Sequence, residues 1–206
     1  MNEIGTRIKT VSDNQEKSNA FKENMKRFNK AKASEFYFEC LWILYAMLED
    51  RTSAFHYYLG FTSSENRNLV IENKRFRREI RQIFSISENN AKYKFDSFTG
   101  KLLRIEELII WSQKSNDNVS SYQVAVKETI LKLVLNEELI EILCYLNCEW
   151  RNKRNQLVHA LFNKNTENVN QELKVMVEKG YRAVRILDNT VSKLKKEKIR
   201  DHFKIK

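Results

Sequence analysis

The sequence contains no proline and only four glycines among its 206 residues. Antiparallel strands are joined by hairpins, and hairpin turns depend on glycine, proline and other turn residues. A β-rich chain of this length needs many such turns, whereas a few long helices with short connections need few. The composition therefore predicts an all-α fold, and the length favours one domain.

Cysteine is also scarce: Cys40, Cys144 and Cys148 are the three in the chain, and each lies inside an apolar segment. This pattern predicts small core residues in a reducing compartment rather than disulfides. Cys144 and Cys148 are one helical turn apart, but no further ligands stand nearby at zinc spacing. We predict no metal site and no cofactor.

Long hydrophobic runs are missing. The longest apolar stretch is CLWILYAML at residues 40–48, far shorter than the ~20 residues that a membrane-spanning helix needs. The N-terminal region has no apolar core of a secretory signal. These features predict a cytoplasmic protein with no membrane association.

Negative charge is in deficit, because 37 Lys and Arg face 27 Asp and Glu and leave a net charge of +10. Residues 149–206 carry 15 basic and seven acidic residues, so they hold eight of those ten excess charges. A basic region of this kind favours a polyanionic partner such as RNA. A solvated, lysine-rich surface explains the same numbers equally well.

Apolar spacing predicts a helical bundle of about five helices over residues 18–206, after a polar segment at residues 1–17 that we expect to be frayed. The predicted helices cover residues 18–59, 68–84, 101–113, 124–162 (one tract or two stacked helices) and 169–198, with Gly60 ending the first. The second half of the first helix is apolar on nearly every side. Such a helix belongs at the centre of the bundle or in a subunit interface.

The stretch RNKRNQLVHALF, residues 151–162, combines cations, amides and a histidine with aliphatic residues. Arg151, Asn155 and His159 are spaced four apart, so a helix places them in one stripe. Histidine suits proton transfer near neutral pH, arginine pairs with phosphate, and asparagine can orient either. A hydrogen-bonded structural histidine, with cations near a helix end, is the alternative interpretation.

The segment RNQLVH, Arg154 to His159, resembles the motif of the HEPN superfamily, which is an Arg, a polar residue that is often Asn, and a His a few residues beyond. The resemblance implies an all-α bundle with the motif on a late helix, and catalysis by Arg154, Asn155 and His159. Many such domains are metal-independent ribonucleases that dimerise, so that two motifs form one cleft. They occur among toxins and phage-defence proteins, while others are inactive RNA-binding or scaffold domains.

The resemblance therefore predicts an endoribonuclease in which the ribose 2′-OH attacks its own phosphate. The expected partners are RNA (tRNA or mRNA), a second copy of the chain, and an antitoxin or defence-system protein. A non-catalytic module that binds RNA or a protein partner is the alternative.

A second match to the motif spacing occurs at Arg51 and His56 in the segment RTSAFH. We prefer the copy at Arg154 because Asn155 follows the arginine, because it lies late in the bundle and because cations surround it. Lys153 and Arg51 are expected to add contacts to RNA.

Arg154 and His159 are five residues apart, which is about 140° around an ideal helix. Either the helix is distorted, or each Arg154 acts across a two-fold axis. Arg151, which shares the histidine stripe, is the second candidate for the phosphate contact.

Glu49 and Asp50 end the apolar face of the first helix, where an unpaired charge is costly. One expectation is that either carboxylate pairs with Arg154 or holds His159 in one tautomer. The alternative is that the helix simply emerges into solvent at this point.

Overall fold

The computed structural model describes residues 14–62, 76–85, 97–114, 119–160 and 166–205, and within these ranges the chain is helical and contains no strand. The all-α prediction is confirmed. The helices are α1 Asn14–Ala33, α2 Tyr37–Tyr58, α3 Arg77–Ile83, α4 Phe98–Gln113, α5 Ser121–Thr129, α6 Glu137–Tyr145, α7 Arg151–Ala160, α8 Thr166–Lys196 and α9 Ile199–His202. The predicted count of about five is not confirmed, since several predicted helices are divided.

Helix α2 lies at the centre of the described structure. It packs most extensively against α8 and also against α1 and α4. Its buried side chains include Leu41, Leu44 and Leu48, each of which stabilises the fold by roughly 1.5–3 kcal/mol relative to exposure. This placement explains why the sequence of α2 is apolar on nearly every side, and of the two predicted positions it fits the bundle centre.

The predicted single helix at residues 18–59 is divided at residues 34–36. Glu35 has a left-handed backbone with φ of 58°, and the amide of Phe36 donates to the carbonyl of Ala31 at 2.9 Å. This is a Schellman end in which glutamate takes the position that glycine usually occupies, so no glycine marks this break in the sequence. The predicted stop at Gly60 is confirmed, because Gly60 has φ of 84° and α2 ends at Tyr58.

The predicted tract at residues 124–162 consists of stacked helices that are separated at Leu135 and Asn136. The Asn136 side chain caps α6 by accepting a hydrogen bond from the amide of Leu139 at 2.7 Å. Two π-helical turns, Ile130–Val134 and Leu146–Trp150, precede Leu135 and α7 respectively. A π turn inserts one extra residue, so the second one resets the faces that α7 presents.

Helix α8 runs through Gly180 without interruption. A Cβ atom at Gly180 would lie 3.2 Å from both Leu44 Cδ1 and Trp150 Nε1. The glycine therefore allows α8 to approach α2 and the second π turn closely. The apolar residues predicted on this helix are buried, namely Leu173, Val177, Val184, Leu187, Val191 and Leu194.

The apolar face predicted at residues 101–113 is also buried, at Leu102, Ile105, Leu108, Ile109 and Trp111. Of the predicted helix at 68–84, the part at Arg77–Ile83 is confirmed, while residues 68–75 lie outside the described ranges. So do residues 86–96 and 115–118 between the predicted helices, residues 161 and 162 at the end of the 124–162 tract, residues 163–165 after it, and residues 1–13 of the polar N-terminal segment. No helix within the described ranges combines the length and the hydrophobicity of a membrane-spanning segment.

The cysteine prediction is correct for one residue and wrong for two. Cys40 is buried, whereas Cys144 and Cys148 are exposed free thiols. They point away from the core because the buried side of this segment is formed by Leu143, Leu146 and Trp150. Apolar neighbours in the sequence therefore did not identify the inward face.

Candidate functional site

Arg154, Asn155 and His159 line one pocket, with a volume of about 330 Å³, between α7 and the first half of α2. The opposite wall consists of apolar and aromatic side chains of α2, namely Phe38, Leu41, Trp42 and Tyr45. The three residues of the predicted motif are thus brought together within one chain. Each belongs to α7, which is regular from Arg151 onwards.

Arg154 is held in place by its neighbours. Its guanidinium carbon lies 4.4 Å from the centroid of the Tyr45 ring and 5.9 Å from that of Trp150. A guanidinium over an aromatic face is attracted by the ring quadrupole, by about 0.5–1 kcal/mol at an exposed site. The Tyr45 and Trp150 rings stack in turn, with centroids 6.2 Å apart and planes at 7°. The cation therefore lies over two stacked rings, of which the Trp150 ring is buried in the core.

Asn155 makes a second contact with this arginine. Its Oδ1 accepts hydrogen bonds from Arg154 Nε at 3.3 Å and Nη2 at 3.0 Å. These two bonds use neither the Nη1 group of Arg154 nor the amide hydrogens of Asn155. A planar guanidinium that is oriented in this way can present N–H groups to a phosphate oxygen.

His159 is exposed and lines the same pocket although it is five residues beyond Arg154. The long arginine side chain extends over Tyr45, so both residues reach this pocket from a regular α7. Arg151 is half-buried and is not among the residues that line the pocket. The geometry within one chain therefore favours Arg154 over Arg151. Lys153 is exposed next to the pocket residues, and its predicted contact with RNA stays a prediction.

The second motif match, at Arg51 and His56, has a different environment. His56 is fully buried, and its Nε2 donates to the carbonyl of Lys101 at 2.9 Å. Burial lowers the pKa of His56 to about 3, aided by the positive charges of Lys101 and Arg104 and opposed by the carbonyl contact. A histidine that is sealed in the core and neutral at physiological pH cannot exchange protons with a bound RNA.

Arg51 is paired with acidic side chains on two helices. It forms ion pairs with Asp50 and, at 2.7 Å, with Asp188 of α8. Its guanidinium carbon also lies 4.8 Å from the centroid of the Phe21 ring. These contacts tie α2 to α1 and α8, and the predicted contact of Arg51 with RNA stays a prediction.

Glu49 and Asp50 each form an ion pair with a residue that does not line the pocket. Glu49 Oε1 lies 3.3 Å from Nζ of Lys101, whose side chain is only 1% exposed, and Asp50 pairs with Arg51. Glu49 is one helical turn beyond Tyr45, but neither carboxylate is among the residues that line the pocket. Their predicted support of Arg154 or His159 stays a prediction.

The aromatic wall of the pocket is the part that the motif did not identify. Phe38, Trp42 and Tyr45 are spaced four and three apart, which puts them on one face of α2. Trp42 is 54% exposed, although the apolar sequence around it is typical of a buried helix. The spacing of aromatic residues within an apolar helix was the available signal, but the excess of apolar neighbours obscured it.

Among the described residues, no group of three or more His, Cys, Asp or Glu side chains is arranged to hold a metal ion. Comparison with protein-family models, curated proteins and solved structures finds no match to this chain. The functional interpretation therefore depends on the motif resemblance and on the geometry of the pocket.

Proposed function

We propose that the protein is a metal-independent endoribonuclease with a HEPN-like helical bundle, in which Arg154, Asn155 and His159 form the active centre. The observation that supports this most strongly is that all three motif residues line one pocket, with the arginine oriented by Tyr45 and Asn155. A pocket with a few convergent polar groups on an apolar wall is the usual form of a ligand site. The basic region at residues 149–206 favours a polyanionic substrate.

The proposed reaction is transfer of a phosphodiester within the RNA strand. The 2′-oxygen forms a bond to phosphorus, and the bond from phosphorus to the 5′-oxygen of the next nucleotide breaks. One proton leaves the 2′-OH and one is added to the 5′-oxygen, which yields a 2′,3′-cyclic phosphate and a 5′-OH end. The nucleophile is already part of the substrate, so the reaction needs no metal-activated water.

Histidine is the side-chain type best matched to proton transfer in general acid–base catalysis, so we assign His159 the role of general acid or general base. Arg154 donates to the phosphate oxygens and offsets the negative charge that grows on them in the transition state. Asn155 keeps the guanidinium in place through Oδ1 and can donate from its amide to the phosphate or to His159. Any second proton-transfer group would come from His159 of another copy in a homodimer.

We further propose that the protein acts as a homodimer in the cytoplasm, as a toxin or phage-defence effector. This part follows from the HEPN resemblance, in which two motifs face each other across a two-fold axis. A cytoplasmic RNA such as tRNA or mRNA is the corresponding substrate, and an antitoxin or defence protein is the corresponding partner.

Cleavage of total tRNA and of a generic RNA in the presence of EDTA tests this proposal. We expect products with cyclic phosphate and 5′-OH ends, and no cleavage at a bond whose 5′-side ribose is replaced by deoxyribose. Cleavage of DNA, or of the deoxyribose-substituted bond, would overturn the mechanism.

A non-catalytic RNA-binding module is the second candidate, because an exposed indole beside an arginine also suits binding without cleavage. It predicts salt-sensitive binding of RNA and no products, with or without a protein partner. The two candidates are separated by the same assay, since only the enzyme changes the RNA.

A further inference from the structure

The α2 side of the pocket presents aromatic rings to solvent next to a cation. Trp42 is 54% exposed, and its ring centroid lies 6.1 Å from that of Phe38 and 6.4 Å from that of Tyr45. Tyr45 carries the Arg154 guanidinium at 4.4 Å. An exposed indole flanked by half-buried rings and a cation suits a ligand that offers a flat π face and a negative charge.

We propose that Trp42, with Phe38 and Tyr45, forms a subsite that stacks one unpaired nucleobase beside the phosphate held by Arg154. The inference rests on the proposed function and adds a substrate feature to it, namely that the RNA is single-stranded at this position. Trp42 is the residue that provides the stacking surface.

The chemistry of the wall matches a nucleobase. Bases stack on aromatic side chains irrespective of their sequence, because every base has a flat π face. An arginine beside the rings supplies the contact for the phosphate that each base carries with it. A purely apolar ligand would gain nothing from Arg154 and would strip its cation of water.

The size of the pocket favours a single nucleotide over a duplex. A volume of about 330 Å³ is near the lower end for small-molecule sites. The bases of an RNA duplex are paired and stacked inside the helix, so they cannot lie on a protein ring. A loop or a single strand can turn one base outward into the pocket.

A second copy of the chain is the other occupant that such an aromatic face could have. In that arrangement Trp42 is covered in the free protein, whereas a base-binding subsite leaves it open until RNA binds. The two arrangements therefore differ in the accessibility of Trp42 before RNA is added.

Intrinsic fluorescence can measure this accessibility. The chain has three tryptophans, and Trp111 and Trp150 are buried, with exposures of 8% and 0%. Quenching by acrylamide should therefore report mainly Trp42. We expect a quenchable, red-shifted component in the wild type that disappears in Trp42→Phe.

The probes are a single-stranded oligonucleotide with 2′-O-methyl riboses and the same strand in a duplex. A 2′-O-methyl group removes the proposed nucleophile, so we expect the wild-type protein to bind the probe without cutting it. We expect the single strand to quench Trp42 and to bind more tightly than the duplex. Trp42→Ala should weaken binding of the single strand by about 5- to 160-fold, which corresponds to the 1–3 kcal/mol per stacked base.

The matched control is Phe36→Ala. Phe36 is 62% exposed just before α2 but does not line the pocket, so its removal should leave binding of the single strand unchanged. Equal binding of the duplex and the single strand, unchanged binding by Trp42→Ala, or a Trp42 that is shielded in the free protein would each overturn the subsite.

These outcomes are distinct from failure of the proposed function. If RNA is cleaved with the same efficiency by wild type and Trp42→Ala, the proposed ribonuclease activity is supported and the proposed subsite is refuted. If the single strand quenches Trp42 but unmodified RNA is never cleaved, the proposed base-binding subsite is supported and the proposed ribonuclease activity is refuted.

Discussion

Replacing Arg154 by lysine separates the role of charge from that of geometry. Lysine keeps the positive charge, but it cannot donate two parallel hydrogen bonds to a phosphate or lie flat on the Tyr45 ring as a guanidinium does. Loss of one well-placed donor to a transition state lowers the rate by ~100- to 1,000-fold. Because the charge is retained, we expect Arg154→Lys to lower kcat by about 10- to 100-fold, and Arg154→Ala by about 100-fold or more.

The stability of this variant should change little. The contact between Arg154 and Tyr45 is worth about 0.5–1 kcal/mol at a half-exposed site, so the loss of activity cannot come from unfolding. Circular dichroism melts of wild type and variant check this point. Single-turnover cleavage of a defined RNA then measures the chemical step.

Arg151→Lys is the matched control, because Arg151 precedes Arg154 by one turn and does not line the pocket. We expect its rate to remain within about twofold of the wild type, since only interactions made in the transition state alter the chemical step. If Arg151→Lys loses activity while Arg154→Lys retains it, the phosphate contact belongs to Arg151 and the reasoning from the pocket is refuted.

Three further predictions concern the framework that holds the site. The pKa of His56 is about 3, so the folded state binds this proton less readily than the unfolded chain. The contribution of neutral His56 to the free energy of unfolding is therefore complete above about pH 6.5. It is lost as the pH falls toward 3, by about 1.4 kcal/mol per pH unit. His56→Phe should flatten this slope in denaturant titrations at several pH values, and an unchanged slope would contradict the assignment. Gly180→Val should lower the free energy of unfolding by about 1–3 kcal/mol, because the valine methyl groups would crowd Trp150. Gly180→Ala should change this free energy less, because alanine also gains helix propensity. Equal melting temperatures for the two variants would refute this expectation. Glu49→Gln leaves the buried Lys101 ammonium without its carboxylate and should destabilise the fold by about 1–3 kcal/mol, a loss that Lys101→Met in the same chain should reduce. No rescue by the double variant would show that the pair is not the cause.

The helical framework was predictable because it depends on spacing that the sequence displays directly. The buried stripe of α8 follows from apolar residues at helical intervals, and the end of α2 follows from Gly60, the residue best able to take φ of 84°. The break at Glu35 was not predictable in this way. Its backbone is left-handed although glutamate has no special preference for that conformation, so packing of α1 and α2 on the rest of the bundle must set it.

The site was predictable in part. The motif residues were identified by their resemblance, but an ideal helix places Arg154 and His159 about 140° apart and gave no reason for them to share a pocket. The missing information was the position of Tyr45, over which the arginine extends. Trp42 was overlooked for a similar reason, since only the packing of α2 shows which of its apolar residues remain exposed.

Cleavage of RNA in EDTA by histidine variants tests the central claim most directly. The chain has three histidines, of which His159 lines the pocket, His56 is buried and His202 is exposed in α9. We expect that wild type and His202→Ala cut RNA to cyclic phosphate ends and that His159→Ala, equally well folded, does not. Cleavage by His159→Ala at the wild-type rate would contradict it.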